Sequence, residues 1–210
     1  MTLREYLNAM PLVAILRGVQ PDEALDVAQV LVDAGIRIIE VPLNSPDPFV
    51  SIERIASTHG AHCLVGAGTV LQADDVDRVA DTGGRLVVAP NFSAAVVSRA
   101  RALGLIPVPG VQTPTEAFAA LEAGAAALKF FPAEIIPPQA VKAMRAVLRG
   151  DTLVLVVGGI GPDNLAQYRD AGVDGFGIGS ALYKPGLAVP EIAARARALV
   201  AAAGPRSFGG

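Results

Sequence analysis

A chain of 210 residues is long enough for one domain with a substantial core, and nothing in its length forces a second. Hydrophobic residues make up 52% and charged residues 18%, a balance that argues against disorder and fits a compact α/β protein rich in Ala, Val, Leu and Gly. The net charge is −3, the arginines are scattered and Trp is absent, so the basic, aromatic-laced surface of a nucleic-acid binder is not expected.

The first residues, "MTLREYLNAMP", contain no signal-peptide apolar stretch, and no later run approaches the roughly eighteen apolar residues of a membrane span. The expectation is a cytoplasmic protein without a membrane or nucleic-acid partner. From there, short apolar runs recur: "LVAILRG" from Leu12, "IRIIEVPL" from Ile36, "CLVGAGTV" from Cys63, "LVVAPN" from Leu86, "LIPVPGV" from Leu105, "AALKFFP" from Ala126, "LVLVVGGI" from Leu153 and "DGFGIGSALY" from Asp174. Between them lie stretches with apolar residues three and four apart, such as "PDEALDVAQVLVDAG" and "TPTEAFAALEAG". Pro21 and Pro114 with acids behind them mark helix starts, and Gly35, Gly104, Gly124 and Gly172 mark ends.

Strand then helix, eight times over, predicts a single-domain (β/α)₈ TIM barrel spanning 1–204, with a flexible tail at 205–210. A doubly wound open sheet is the alternative. Against it, the first strand-to-helix turn, "LRGVQPDE", has no G-x-G-x-x-G fingerprint. Cys63 is the single cysteine, which rules out an intramolecular disulfide and suits a reducing compartment. His59 and His62 lack partners at ligand spacing, so no metal is expected.

In a barrel, alternate strand residues point inward and chemistry sits at the strands' carboxyl ends. On the sixth expected strand, Ala125, Ala127 and Lys129 share one face, and the greasier face of Ala126, Leu128 and Phe130 should meet the helices. Lys129 then points into the barrel. The same parity sends Glu40 inward with Ile38, Arg17 with Val13 and Ile15, and Thr69 with Val65 and Ala67. Each alone has a structural explanation, a snorkelling lysine or an ion-pair partner. A buried lysine, an acid and an arginine together cost too much desolvation to be idle.

A second signal lies in "VVGGIGPDN" and "GIGSALY". They place Gly158 and Gly159 before a helix whose first turn contains Pro162 and Asp163, and Gly179 and Ser180 before a short helical turn. Loops after the last two barrel strands commonly hold a phosphate, with bared backbone N–H groups and a helix amino terminus facing the charge.

The motifs "AILRG" (14–18), "IEVPLNSP" (39–46), "GAGTV" (66–70), "LKFFPAE" (128–134) and "VGGI" (157–160) occur in order across nearly the whole chain. On them the chain resembles the 2-keto-3-deoxy-6-phospho sugar-acid aldolases. The resemblance implies a class I, Schiff-base aldolase needing no cofactor. It makes Lys129 the Schiff-base lysine, Glu40 the proton donor and acceptor, and Arg17 and Thr69 substrate-binding residues. It makes Gly158, Gly159, Gly179 and Ser180 the phosphate cradle. It also implies a phosphorylated 2-keto-3-deoxy sugar acid as substrate, pyruvate and glyceraldehyde 3-phosphate as products, and a homotrimer. Gluconate-type members typically read "LRTP" and "TGG", where this chain reads "LNSP" and "VGG". Asn44 and Val157 therefore match the galactonate-type pattern, with gluconate-type or dual specificity as the alternative. An isomerase that uses Lys129 only electrostatically is the alternative from another class. Burial and Arg17 should lower the pKa of Lys129 while Glu40 raises it, and the balance does not follow from the sequence.

Overall fold

A computed structural model of the chain describes residues 1–204; the tail expected over 205–210 lies outside the described residues. Parallel strands β1 (Leu12–Ile15), β2 (Ile38–Pro42), β3 (Leu64–Gly68), β4 (Leu86–Val88), β5 (Ile106–Val108), β6 (Gly110–Val111), β7 (Leu128–Phe130), β8 (Val154–Val157) and β9 (Gly175–Ile178) form one sheet. Their order is β5-β4-β3-β2-β1-β9-β8-β7-β6. β5 and β6 are two halves of one strand on either side of Pro109, so the ends of that order meet and the sheet closes as a (β/α)₈ barrel.

Eight strands were expected and the fifth is divided. Proline explains the division, because Pro107 and Pro109 have no N–H and offer this strand's neighbour only carbonyls. Those carbonyls accept from the N–H groups of Ala126 and Lys129, at 2.9 Å each. Three residues of the neighbouring chain thus face two of this one. The extra residue breaks the expected alternation: Ala125 packs with the outer layer and Ala126 with the barrel interior. From Ala127 onward the parity is as read, with Ala127 inside and Leu128 and Phe130 outside.

Helices α2 (Ala24–Ala34), α3 (Pro48–His59), α4 (Ala73–Asp81), α5 (Ala94–Ala102), α6 (Pro114–Glu122), α7 (Pro138–Arg145), α8 (Leu165–Asp170) and α9 (Val189–Ala203) surround the sheet. Their apolar stripes meet the outward strand residues, Ile39, Val41, Val65 and Ala67 among them. α6 begins with a Thr113/Glu116 capping box, and α2 ends at Gly35, whose φ of 106° places it in the left-handed region. Two starts differ from expectation. Glu23 rather than Pro21 precedes α2, and Pro162 and Asp163 lie in a turn ahead of α8.

One helix was not expected at all. α1 (Leu3–Ala9) opens with a Thr2/Glu5 capping box and inserts Leu3, Tyr6 and Leu7 into the interior cluster with Val13, Ile38 and Leu155. It stoppers the barrel from the amino-terminal side of the strands, leaving the carboxyl side for the polar groups. Both signals were in the sequence: T-x-x-E, then apolar residues at i, i+3 and i+4.

Candidate active site

Glu40 and Lys129 are the central residues of β2 and β7, and both are all but sealed from solvent, at 2% and 6% exposure. They line the same cavity inside the barrel, whose other walls are apolar, among them Val13, Ile15, Ile38 and Val157. The Lys129 ammonium lies 4.7 Å from the centre of the Phe131 ring. Glu40 fits because β3 presents glycine opposite it: a Cβ on Gly68 would fall inside the Glu40 carboxylate. One oxygen of that carboxylate, Oε2, has no hydrogen-bond partner among the described residues.

Burial dominates the electrostatics. It pushes the Glu40 carboxyl up to about 7, against the opposing pull of Lys129 and then Arg17. It also pulls the Lys129 amine below the ordinary lysine value, with Glu40 resisting and Arg17 assisting. The question left open by the sequence is therefore decided by desolvation. The pair combines an amine that gives up its proton readily with a carboxyl that can both hold and release one near neutral pH.

Above the cavity, sharing Ile15, Val157 and Gly177 in its walls, lies a cleft of about 330 Å³. Gly158, Gly159, Gly179 and Ser180 line it, as does Arg17. The Arg17 guanidinium donates to Asn44 Oδ1 at 2.7 Å, so Asn44 orients the arginine, a contact the sequence does not reveal. The turn before α8 closes on itself: the Gly161 N–H donates to Asn164 Oδ1 at 3.0 Å, and Asn164 Nδ2 donates to the Gly159 carbonyl at 2.8 Å.

Thr69 requires a correction. Val65 and Ala67, whose parity it was given, face the helices, while Leu64 belongs to the interior. The inner face of β3 continues through Gly66 and Gly68, so alternation does not carry Thr69 inward. β3 ends at Gly68, and Thr69 takes a φ of 54°, a left-handed conformation uncommon for a β-branched residue. It is half-buried and lines neither the cavity nor the cleft. Conversely, Glu134, Tyr183 and Lys184 line the cleft and were not foreseen. They sit on loops, where no periodicity points to them. Among the described residues, no group of three or more His, Cys, Asp and Glu is placed to hold a metal ion.

The model of the KDPG and KHG aldolase family matches residues 3–199. The chain belongs to that family. Among individual relatives, this aldolase is 51% identical over 192 residues to a protein of Rhizobium meliloti named probable 2-dehydro-3-deoxy-6-phosphogalactonate aldolase, covering 91% of each chain. It is 48% identical over 198 residues to the 2-dehydro-3-deoxy-6-phosphogalactonate aldolase of Escherichia coli, covering 94% of this chain and 97% of that one. A solved structure described as native KDPGal superposes with a TM-score of 0.91 at 49% identity, covering 92% of this chain and 94% of that chain. The aldolase barrel is thus matched over nearly its whole length.

Proposed function

We propose that this aldolase cleaves 2-dehydro-3-deoxy-6-phosphogalactonate to pyruvate and D-glyceraldehyde 3-phosphate through a Schiff base on Lys129. The observation that carries the reading is the burial of Lys129 and Glu40 around one cavity directly beneath a glycine-lined cleft. The names borne by the relatives at 48% and 51% identity support the substrate.

In this mechanism the neutral Lys129 amine adds to the C2 ketone to give a carbinolamine, which takes up a proton and loses water to form a cationic imine. Glu40 takes the proton of the C4 hydroxyl, the C3–C4 bond breaks, and its electron pair flows into the imine to form an enamine while the triose phosphate leaves. The proton on Glu40 returns to C3, and water releases pyruvate and the free lysine. Arg17, oriented by Asn44, is assigned to the substrate carboxylate; Thr69 lines neither the cavity nor the cleft, and its assignment there rests on the family resemblance alone. Gly158, Gly159, Gly179 and Ser180 are assigned to the phosphate. The apolar cavity serves the chemistry by favouring the neutral amine and keeping the imine away from bulk water.

Val157 borders cavity and cleft together and offers no hydrogen bond, which suits a C4 hydroxyl turned away from it. Steady-state cleavage of the two C4 epimers tests the assignment: the galactonate-type substrate should have a kcat/KM at least about ten-fold above the gluconate-type one. A reversed ratio would overturn it. We assign the working enzyme to the cytoplasm as a homotrimer, as the family resemblance implies. Among the described residues, no helix is long and apolar enough to cross a membrane.

A further inference from the structure

The geometry points to Lys184 as the cation that recognises the substrate's phosphate, a role that rests on the aldolase reading above. Among the described residues, three charged ones line the cleft: Arg17, Glu134 and Lys184. Arg17 stands at the barrel end, tied to Asn44 and close enough to Glu40 and Lys129 to influence both. It serves the reacting end of the substrate. At the glycine end the nearest fixed charge has the wrong sign. A Cβ on Gly158 would run into the Glu134 carboxylate, and one on Gly159 would come within 2.9 Å of Glu134 Cγ. A phosphate dianion placed over these glycines therefore has a carboxylate beside it.

Backbone N–H groups supply only partial charges against that repulsion. The helix amino terminus expected here contributes little, because α8 starts only at Leu165 and the Gly161 N–H is already taken by Asn164. A full positive charge is needed, and Lys184 is the remaining cation on the cleft wall. Its side chain makes no hydrogen bond or ion pair with another described residue, so its donors are available to a ligand.

The backbone that carries Lys184 is fixed on both sides. The Tyr183 hydroxyl donates to Glu23 Oε1 at 2.6 Å, and the same oxygen accepts from the Gln20 N–H at 3.1 Å. On the other side the Pro185 ring lies so close to Gly18 that a Cβ there would come within 2.8 Å of it. The loop after β9 is thereby clasped to the loop after β1 that bears Arg17. The two cations are held on one rim, one for each end of an elongated substrate that is anionic at both ends, while the lysine stem itself stays free to swing onto the phosphate.

The test compares wild type, K184M and K184R on the phosphorylated sugar acid and on the same sugar acid without its phosphate. K184M should raise KM for the phosphorylated substrate about ten-fold or more and flatten the rise of that KM with salt. On the unphosphorylated acid the same substitution should move KM less than about two-fold, and K184R should recover most of the loss, since either cation can meet a phosphate. Equal losses on both substrates, or none on either, would overturn the role of Lys184 while leaving the aldolase reading intact. A wild-type enzyme indifferent to the phosphate would overturn the cleft assignment and the lysine's role together.

Discussion

Glu40 is costly where it stands, and the cost has a sign that can be measured. Its carboxyl titrates near 7 in the folded protein, against an ordinary value of 4.5. The folded state therefore binds more protons than the unfolded state between those values, and stability falls as pH rises through that window. The full difference amounts to about 3 kcal/mol above pH 7. In a comparison of wild type with Glu40→Gln, denaturant midpoints should be similar near pH 4 and diverge toward pH 7, wild type becoming the weaker. A constant difference across that range would remove burial as the source of the shift. Catalysis should show the other face of the same group. Because Glu40 must be ionised to take the C4 hydroxyl proton, kcat/KM should rise with pH to a plateau with a midpoint near 7. Glu40→Gln should lower kcat about 10²–10⁴-fold and remove that limb. At this scale much of the site was legible: a lysine and a glutamate on inward parity positions of apolar strands. Thr69 was misread because the inner face of β3 is glycine, so the apolar residues used to set its parity, Val65 and Ala67, are the ones facing the helices. Hydrophobic alternation locates a core, and a barrel has one on each side of its sheet.

Elements were legible wherever period and punctuation agreed, and less so where a single residue changes the ladder. The strand interrupted at Pro109 is one such case, and the extra residue that sends Ala126 inward is another. The amino-terminal helix shows how function depends on an element remote from the chemistry. Leu7 is fully buried, and a Cβ on Gly175 at the start of β9 would come within 2.6 Å of it, so α1 is seated tightly against the barrel floor. Leu7→Ala should cost about 2–5 kcal/mol of unfolding free energy, read from a shift in denaturant midpoint at unchanged slope. A loss below about 1 kcal/mol would show that the floor is not packed as described. Loops are where sequence reading ran out. Glu134 follows β7 in a short 3₁₀ turn and Lys184 follows the last strand, and only the closed barrel brings them to one cleft.

For the molecule as a whole, the barrel separates two tasks along its axis. The amino-terminal side is stoppered by apolar packing, and the carboxyl side opens from an apolar cavity holding an amine and a carboxyl into a wider, charged cleft. That gradient from apolar to polar favours the neutral form of one lysine while a substrate anionic at both ends is still attracted to the rim. The central claim is that Lys129 forms a covalent imine with the substrate. Incubating the protein with pyruvate and sodium borohydride, then mapping peptides by mass spectrometry, tests it most directly. A reduced pyruvyl adduct confined to Lys129 is the predicted result. A folded protein that carries no adduct at saturating pyruvate, or carries it on another lysine, would contradict the account.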